Sequence, residues 1–229
     1  MPLDHVLAVQ ADESPRTERR RGDDTRARLL DAVEALIADH GFKPLTHRTI
    51  ASRADAHVAL LNYHFGSKEQ LIEEALARRA SQLLALQHNA LAALRARGDW
   101  SVEDVLWAYG GPFSSLNADA PSPWRNYLCL VARLAGHDPS DTILMRHFGS
   151  VHRECLLALR HALPTVDDDT LIAGFRHCRL LLEHDALARC KAGGNAPSVV
   201  ANFEHLIAFL AGGLRALAGT ANNERTVAH

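Results

Sequence analysis

Residues 45–71, LTHRTIASRADAHVALLNYHFGSKEQL, decide the fold of this chain. Pro44 precedes the stretch and keeps an earlier helix from running into it. Thr46 is placed to cap a short helix over about His47 to Ala54, with Ile50 and Ala51 turned inward. Asp55 and Ala56 make a turn. A second short helix follows over about Val58 to His64, and Gly66 breaks it. Ser67-Lys68-Glu69-Gln70 has the form of a capping box, with Ser67 as N-cap and Gln70 at the third helical position. It opens a long helix, about Lys68 to Arg95, whose inner face carries Leu71, Ile72, Ala75, Leu76, Leu83 and Leu86. Two short helices, a sharp turn and a long helix are the layout of a helix-turn-helix DNA reader feeding into a helical body.

Upstream, Leu29, Leu30, Val33, Leu36 and Ile37 recur at helical spacing and predict a helix from about Asp24 to His40. Gly41 ends it, since glycine takes the left-handed conformation without a Cβ clash, and Phe42 folds back on its buried face. Residues 1–22 hold Pro2, Pro15, Arg16, Arg19, Arg20 and Arg21 with no apolar period, which predicts a disordered arm able to lie along phosphates or enter a minor groove. The expected units are this arm, a DNA-binding head over 23–70 and a helical body over 71–220.

Beyond Gly98 only helical periods appear. Ser101 caps a helix to about Tyr109, which Gly110, Gly111 and Pro112 should stop, leaving 111–122 as a loop. Helices are expected over about Pro123 to Ala135, from Asp138 or Ser140 to Leu163, from Asp167–Asp169 to Cys190, and from Pro197 or Ser198 to Leu217. No segment alternates with period two, so the fold class is all-α.

The 229 residues are 47% hydrophobic, ample for a core. Net charge is −2, but its distribution is uneven. From Arg16 to Lys68 there are ten Lys or Arg against seven Asp or Glu; from Glu69 onward the balance is 15 against 17. A mildly basic head on a mildly acidic body suits a DNA partner for the head. No run reaches the ~18 apolar residues of a membrane span, and no cleavable leader is visible, so a cytoplasmic protein with no membrane partner is expected. Cys129, Cys155, Cys178 and Cys190 form no CxxC spacing and read as reduced core thiols.

A recognition helix needs a buried back and an exposed front. Leu61 and Phe65, four apart, suit the back, which leaves His57, Val58, Leu60, Asn62 and Tyr63 for DNA. Asn62 suits adenine, and Val58 or Leu60 a thymine methyl. Thr46 and Lys68 stand at helix N-termini, where phosphate oxygens are held.

Leu29, Ala32, Gly41, Phe42, Thr46, Ile50, Ala51, Ala54, Tyr63, His64, Phe65, Ser67, Lys68 and Leu71 together make the head resemble the TetR family of bacterial transcription regulators. The form Asn62-Tyr63-His64-Phe65-Gly66-Ser67-Lys68 is most similar to a branch of fatty-acid-responsive, PsrA-type regulators. Two residues depart from the family pattern: Asp55 stands where Gly is usual, and His57 where Ser or Asn caps the recognition helix. The resemblance implies that Tyr63 and His64 lie near phosphates, and that a homodimer binds a palindromic operator as a repressor. It implies an interface made by the last two helices, with Cys178, Leu182, Leu206, Phe209, Leu210, Gly213 and Leu214 as candidates. It further implies a small apolar effector, a fatty acid or acyl-CoA, in a cavity for which Trp107, Tyr109, Phe113, Trp124, Tyr127, Phe148 and Phe175 are candidate walls. No catalytic residue, cofactor or metal site is expected.

Two other classes stay open. A metal- or redox-responsive regulator would use His147, His152, Cys155, His177, Cys178 and His184, which fall on adjacent expected helices. A helical enzyme has less to stand on: there is no Gly-rich phosphate loop, no GxSxG and no HExxH.

Overall fold

The structure, a computed structural model, describes residues 14–116, 124–136, 141–192 and 199–227. These form α1 (Ser14–His40), α2 (His47–Arg53), α3 (Val58–Phe65), α4 (Lys68–Arg97), α5 (Val102–Leu116), α6 (Trp124–Ala135), α7 (Asp141–Ala162), α8 (Asp168–Ala192) and α9 (Val199–Val227). No strand occurs among the described residues, so the fold is all-α.

The head is α1–α3. Leu29, Val33 and Ile37 of α1 close on Ile50 of α2 and on Leu61 and Phe65 of α3, all buried. Gly41 ends α1 at φ +76, its N–H donating to Ile37 O at 2.9 Å. Thr46 caps α2 in a reciprocal box that the sequence reading missed: Thr49 N–H donates to Thr46 Oγ at 3.1 Å, and Thr46 N–H to Thr49 Oγ at 2.9 Å. Asp55 turns the chain at φ +48, and among the described residues it is the one non-glycine at positive φ. Ser67 and Gln70 form the expected box at the start of α4. At 30 residues, α4 is about 45 Å long and belongs to both head and body. Leu86, expected inside, is 41% exposed; the inner stripe runs through Leu83, Gln87 and Leu91.

Three expectations are corrected. Residues 14–22, expected in a disordered arm, continue α1, while residues 1–13 of that arm lie outside the described residues. Gly110, Gly111 and Pro112 do not stop α5, which runs on to Leu116. Packing overrides propensity there: Tyr109 and Phe113, four apart, are both buried. A Cβ on Gly110 would stand 3.1 Å from atoms of Leu182 and Phe203, so that glycine lets α8 and α9 approach closely. Third, α9 runs past Leu217 to Val227. The loop residues 117–122 and the caps Asp138, Ser140, Pro197 and Ser198 lie outside the described residues.

In the body, α4 packs on α5 and α7, α5 on α9, and α8 on α9. The strap between the two parts is α6, which packs on α8 on one side and on α1 on the other. Tyr127 donates to Leu76 O of α4 at 2.8 Å, and Arg133 Nη2 donates to Ala38 O of α1 at 3.1 Å. Beside them the ion pairs Arg26–Glu74 and Arg78–Asp31 tie α1 to α4.

Candidate functional site

The candidate DNA face is the outer surface of α3 and the helix ends beside it. Leu61 and Phe65 are buried as the back face requires. His57, Val58, Asn62 and Tyr63 are exposed, with Tyr63 at 83%; Leu60, His64 and Lys68 are half-buried. Tyr63 and His64 meet edge to face with ring centroids 5.2 Å apart, which orients both at the end of the helix. Thr46 is exposed, but its hydroxyl already accepts the Thr49 N–H. His57 is the N-cap of α3 and makes no side-chain cap bond. Its imidazole is thus left to the solvent-facing surface, and the helix start is weakly held. Lys43, Arg48 and Ala59 are also exposed here and were not singled out from the sequence. For Ala59, alternation with Leu61 was the usable signal.

The seven aromatic wall candidates do not form one group. Tyr109, Phe113 and Phe175 come together: Tyr109 lies 5.7 Å from Phe113 and 5.6 Å from Phe175, ring centre to ring centre. Phe148 is buried in the core. Trp107 is 39% exposed and packs edge-on against Phe203 at 4.9 Å. Trp124 and Tyr127 sit elsewhere, at the seam with the head, 5.5 Å from each other and with the Arg79 guanidinium 5.7 Å over Trp124.

Reasoning from sequence missed a layer of polar side chains inside the body. Gln87, Tyr109, His152, Arg179 and Glu183, from α4, α5, α7 and α8, are all buried. The Tyr109 hydroxyl donates to Glu183 Oε1 at 2.5 Å and lies 3.3 Å from His152 Nε2. Arg179 Nη1 is 3.4 Å from Glu183 Oε1. Gln87 Nε2 donates to the Tyr109 backbone O at 2.9 Å. Burial, with the Arg179 charge adding, pushes His152 down to about 3, so its ring is neutral. Burial and the Glu183 charge raise Tyr109 well above the ordinary phenol range. The only signal in the sequence was a charge inside an apolar run, Leu180-Leu181-Leu182-Glu183.

A second buried acid, Glu34, lies at the seam. Arg78 and Arg79 stand 3.7 and 3.9 Å from its oxygens, too far for strong hydrogen bonds. Burial pushes its carboxyl up to about 7, against the pull of Arg79 and Arg78.

The dimer candidates divide by burial. Phe209 is 72% exposed, Gly213 is exposed and Leu206 is half-buried, so these three remain available to a second copy. Cys178, Leu182, Leu210 and Leu214 are corrected to intrachain core, because α8 and α9 bury them against each other and the rest of the body. Ile172, His177, Leu181, His205 and Gly212 are exposed on the same two helices.

The metal candidates are scattered. Among the described residues no group of three or more His, Cys, Asp or Glu side chains could hold a metal ion. Burial pushes the Cys178 thiol up to about 11 and the Cys155 thiol higher, so neither offers a ready thiolate. Among the described residues no helix is long and apolar enough to cross a membrane.

Residues 29–75 match a family model described as bacterial regulatory proteins of the tetR family. Residues 107–213 match a second, described as a tetracyclin repressor-like C-terminal domain. Over 77 residues the chain is 35% identical to the HTH-type transcriptional repressor KstR of Mycobacterium tuberculosis, covering 34% of each chain. Over 71 residues it is 39% identical to the HTH-type transcriptional regulator BetI of Rhizobium meliloti, covering 31% of this chain and 34% of that one. The chain thus spans about a third of the length of these curated relatives. Two solved structures share the fold. A TetR family transcription regulator from Marinobacter aquaeolei VT8 is 17% identical, with a TM-score of 0.56 over 89% of this chain and 97% of that one. A TetR-family regulator from Rhodococcus sp. is 18% identical, with a TM-score of 0.55 over 85% and 99%. With a head and a C-terminal domain that each match a model of the family, in the fold its members share, the chain belongs to the TetR family of bacterial regulatory proteins.

Proposed function

We propose that this protein is a cytoplasmic, ligand-responsive DNA-binding repressor and not an enzyme, with residues 23–70 as DNA-binding head and 71–220 as effector-binding and dimerisation body. The observation that carries the reading is the two-faced α3. Its back is locked by Leu61 and Phe65, and its front offers His57, Val58, Asn62 and Tyr63 to a major groove. Leu60, His64, Lys68 and Thr46 flank that front as further base or phosphate contacts. The names of the KstR and BetI relatives, each matched over about a third of the chain, support a transcriptional role.

One head offers few base contacts, so a homodimer on a palindrome is the economical solution, with half-sites about 34–36 Å apart. The exposed faces of α8 and α9, with Phe209, Gly213, Leu206 and Leu181, are its interface, forming a four-helix bundle with the partner copy. The effector is a small, largely apolar molecule that enters the body beside Tyr109, Phe113 and Phe175. The branch resemblance suggests a fatty acid or acyl-CoA.

Electrophoretic shift on the DNA upstream of its own gene tests the DNA role. The wild type retards that fragment, and the double variant Asn62→Ala, Tyr63→Ala loses at least about three orders of magnitude in affinity, from four contacts per dimer at roughly 1–3 kcal/mol each. Equal binding by the variant removes α3 as the reader. Sedimentation of Phe209→Glu, expected as a monomer, checks the interface.

A further inference from the structure

We propose that Tyr109 is a built-in plug in the effector site, and that the effector is an uncharged phenol, or a closely similar hydroxylated ring, that takes its place. This rests on the reading of a small, largely apolar effector beside Tyr109, and for that site it sets a phenol in place of the fatty-acid or acyl-CoA class.

The Tyr109 ring is buried between Phe113 and Phe175, with the Phe175 ring nearly perpendicular at 77°. Its hydroxyl gives its proton to the Glu183 carboxylate at 2.5 Å and faces the neutral His152 ring at 3.3 Å. Arg179, on the next turn of α8, offsets the charge of Glu183. The space that the Tyr109 side chain fills therefore has aromatic walls at Phe113 and Phe175 and a strong acceptor, the Glu183 carboxylate, at its end. A carboxylate guest would face Glu183 at close range and be repelled; a neutral O–H donor is attracted.

The second observation is that α5 is built to yield at this point. Gly110, Gly111 and Pro112 follow Tyr109 inside the helix. Pro112 has no N–H to return to Ala108 O, and each glycine weakens a helix interior. The turn is held from outside, by Gln87 Nε2 on the Tyr109 backbone O. Among the described residues Gln87 Oε1, fully buried, has no hydrogen-bond partner, so a donor arriving when this turn moves has an acceptor waiting. Replacing a buried ion pair by apolar side chains is often neutral or stabilising, so stability alone does not require this layer. Swinging Tyr109 out displaces α5, which packs on α4 and α9.

The test uses the full-length protein and p-cresol, the tyrosine side chain cut free, as probe, followed by calorimetric titration. The wild type binds p-cresol. Tyr109→Phe, which lacks the bond to Glu183 that holds the plug in, binds it at least about tenfold tighter. A merely structural Tyr109 predicts equal or weaker binding in that variant, and this result overturns the plug. Hydrogen exchange over residues 108–116 rises on adding p-cresol; unchanged exchange in a saturated sample overturns displacement. Decanoic acid and decanoyl-CoA are the contrasting probes. Tight binding of either, with none of p-cresol, overturns the phenol class and leaves the effector reading standing. Whether the small-molecule fraction of a cell extract releases the protein from DNA tests the effector reading separately. Release without any p-cresol binding overturns this inference alone.

Discussion

At Asp55 the backbone stands at φ +48, where a β-carbon is crowded, and two residues later His57 opens a helix without a side-chain cap. Both follow from single letters, Asp55 and His57, and both were legible because turn chemistry is local. Their cost is modest and lies at the point that aims α3. His57→Ser supplies the missing acceptor for a first-turn N–H of α3. It is expected to raise stability by about 0.5–1 kcal/mol, read as a shift in the urea midpoint at unchanged slope. An unchanged midpoint means that another group already satisfies those amides. The reciprocal box at Thr46 was harder to see, because its partner is Thr49 and not the Glu or Gln that marks such boxes.

At the scale of elements, the seam between α1, α4 and α6 holds a carboxyl that the sequence hid inside the run Ala32-Val33-Glu34-Ala35-Leu36. Glu34 is raised from 4.5 to about 7 by burial. A raised carboxyl binds its proton more tightly when folded, so its stabilising share is complete below the unfolded value. It is lost as pH climbs through the folded one. Wild-type stability should therefore fall from about pH 4.5 to about pH 7 by on the order of 3 kcal/mol through this group and then level off. Glu34→Gln should flatten that slope in urea melts across the range; an equally steep variant would assign the dependence elsewhere. The α5 helix teaches the opposite lesson. Gly110, Gly111 and Pro112 read locally as a stop, yet the helix persists because Tyr109 and Phe113 share one buried face. Local signals place helix ends well where nothing packs on them and badly where the core does.

At the scale of the molecule, the order of helices and the two-faced α3 could be read from periodicity and capping, since the period of apolar residues is what burial imposes. What stayed hidden depends on which helix meets which. Cys178, Leu182, Leu210 and Leu214 carry the same apolar stripe whether they face α8 and α9 of their own chain or those of a second copy, and only the packing separates them from Phe209 and Gly213. The same holds for the aromatic residues, which divide between the body core at Tyr109 and the seam at Tyr127. In the assembled fold α6 touches both α8 and α1, and its Arg133 bonds Ala38 O in the last turn of α1. All of this serves the reader only if α3 meets DNA in two copies. Selection from a random duplex pool by the purified full-length protein tests that most directly. The account predicts enrichment of one two-fold symmetric sequence, with half-sites about one helical turn apart, and its loss in Asn62→Ala, Tyr63→Ala. No enriched sequence, or the same sequence enriched equally by the variant, would contradict it.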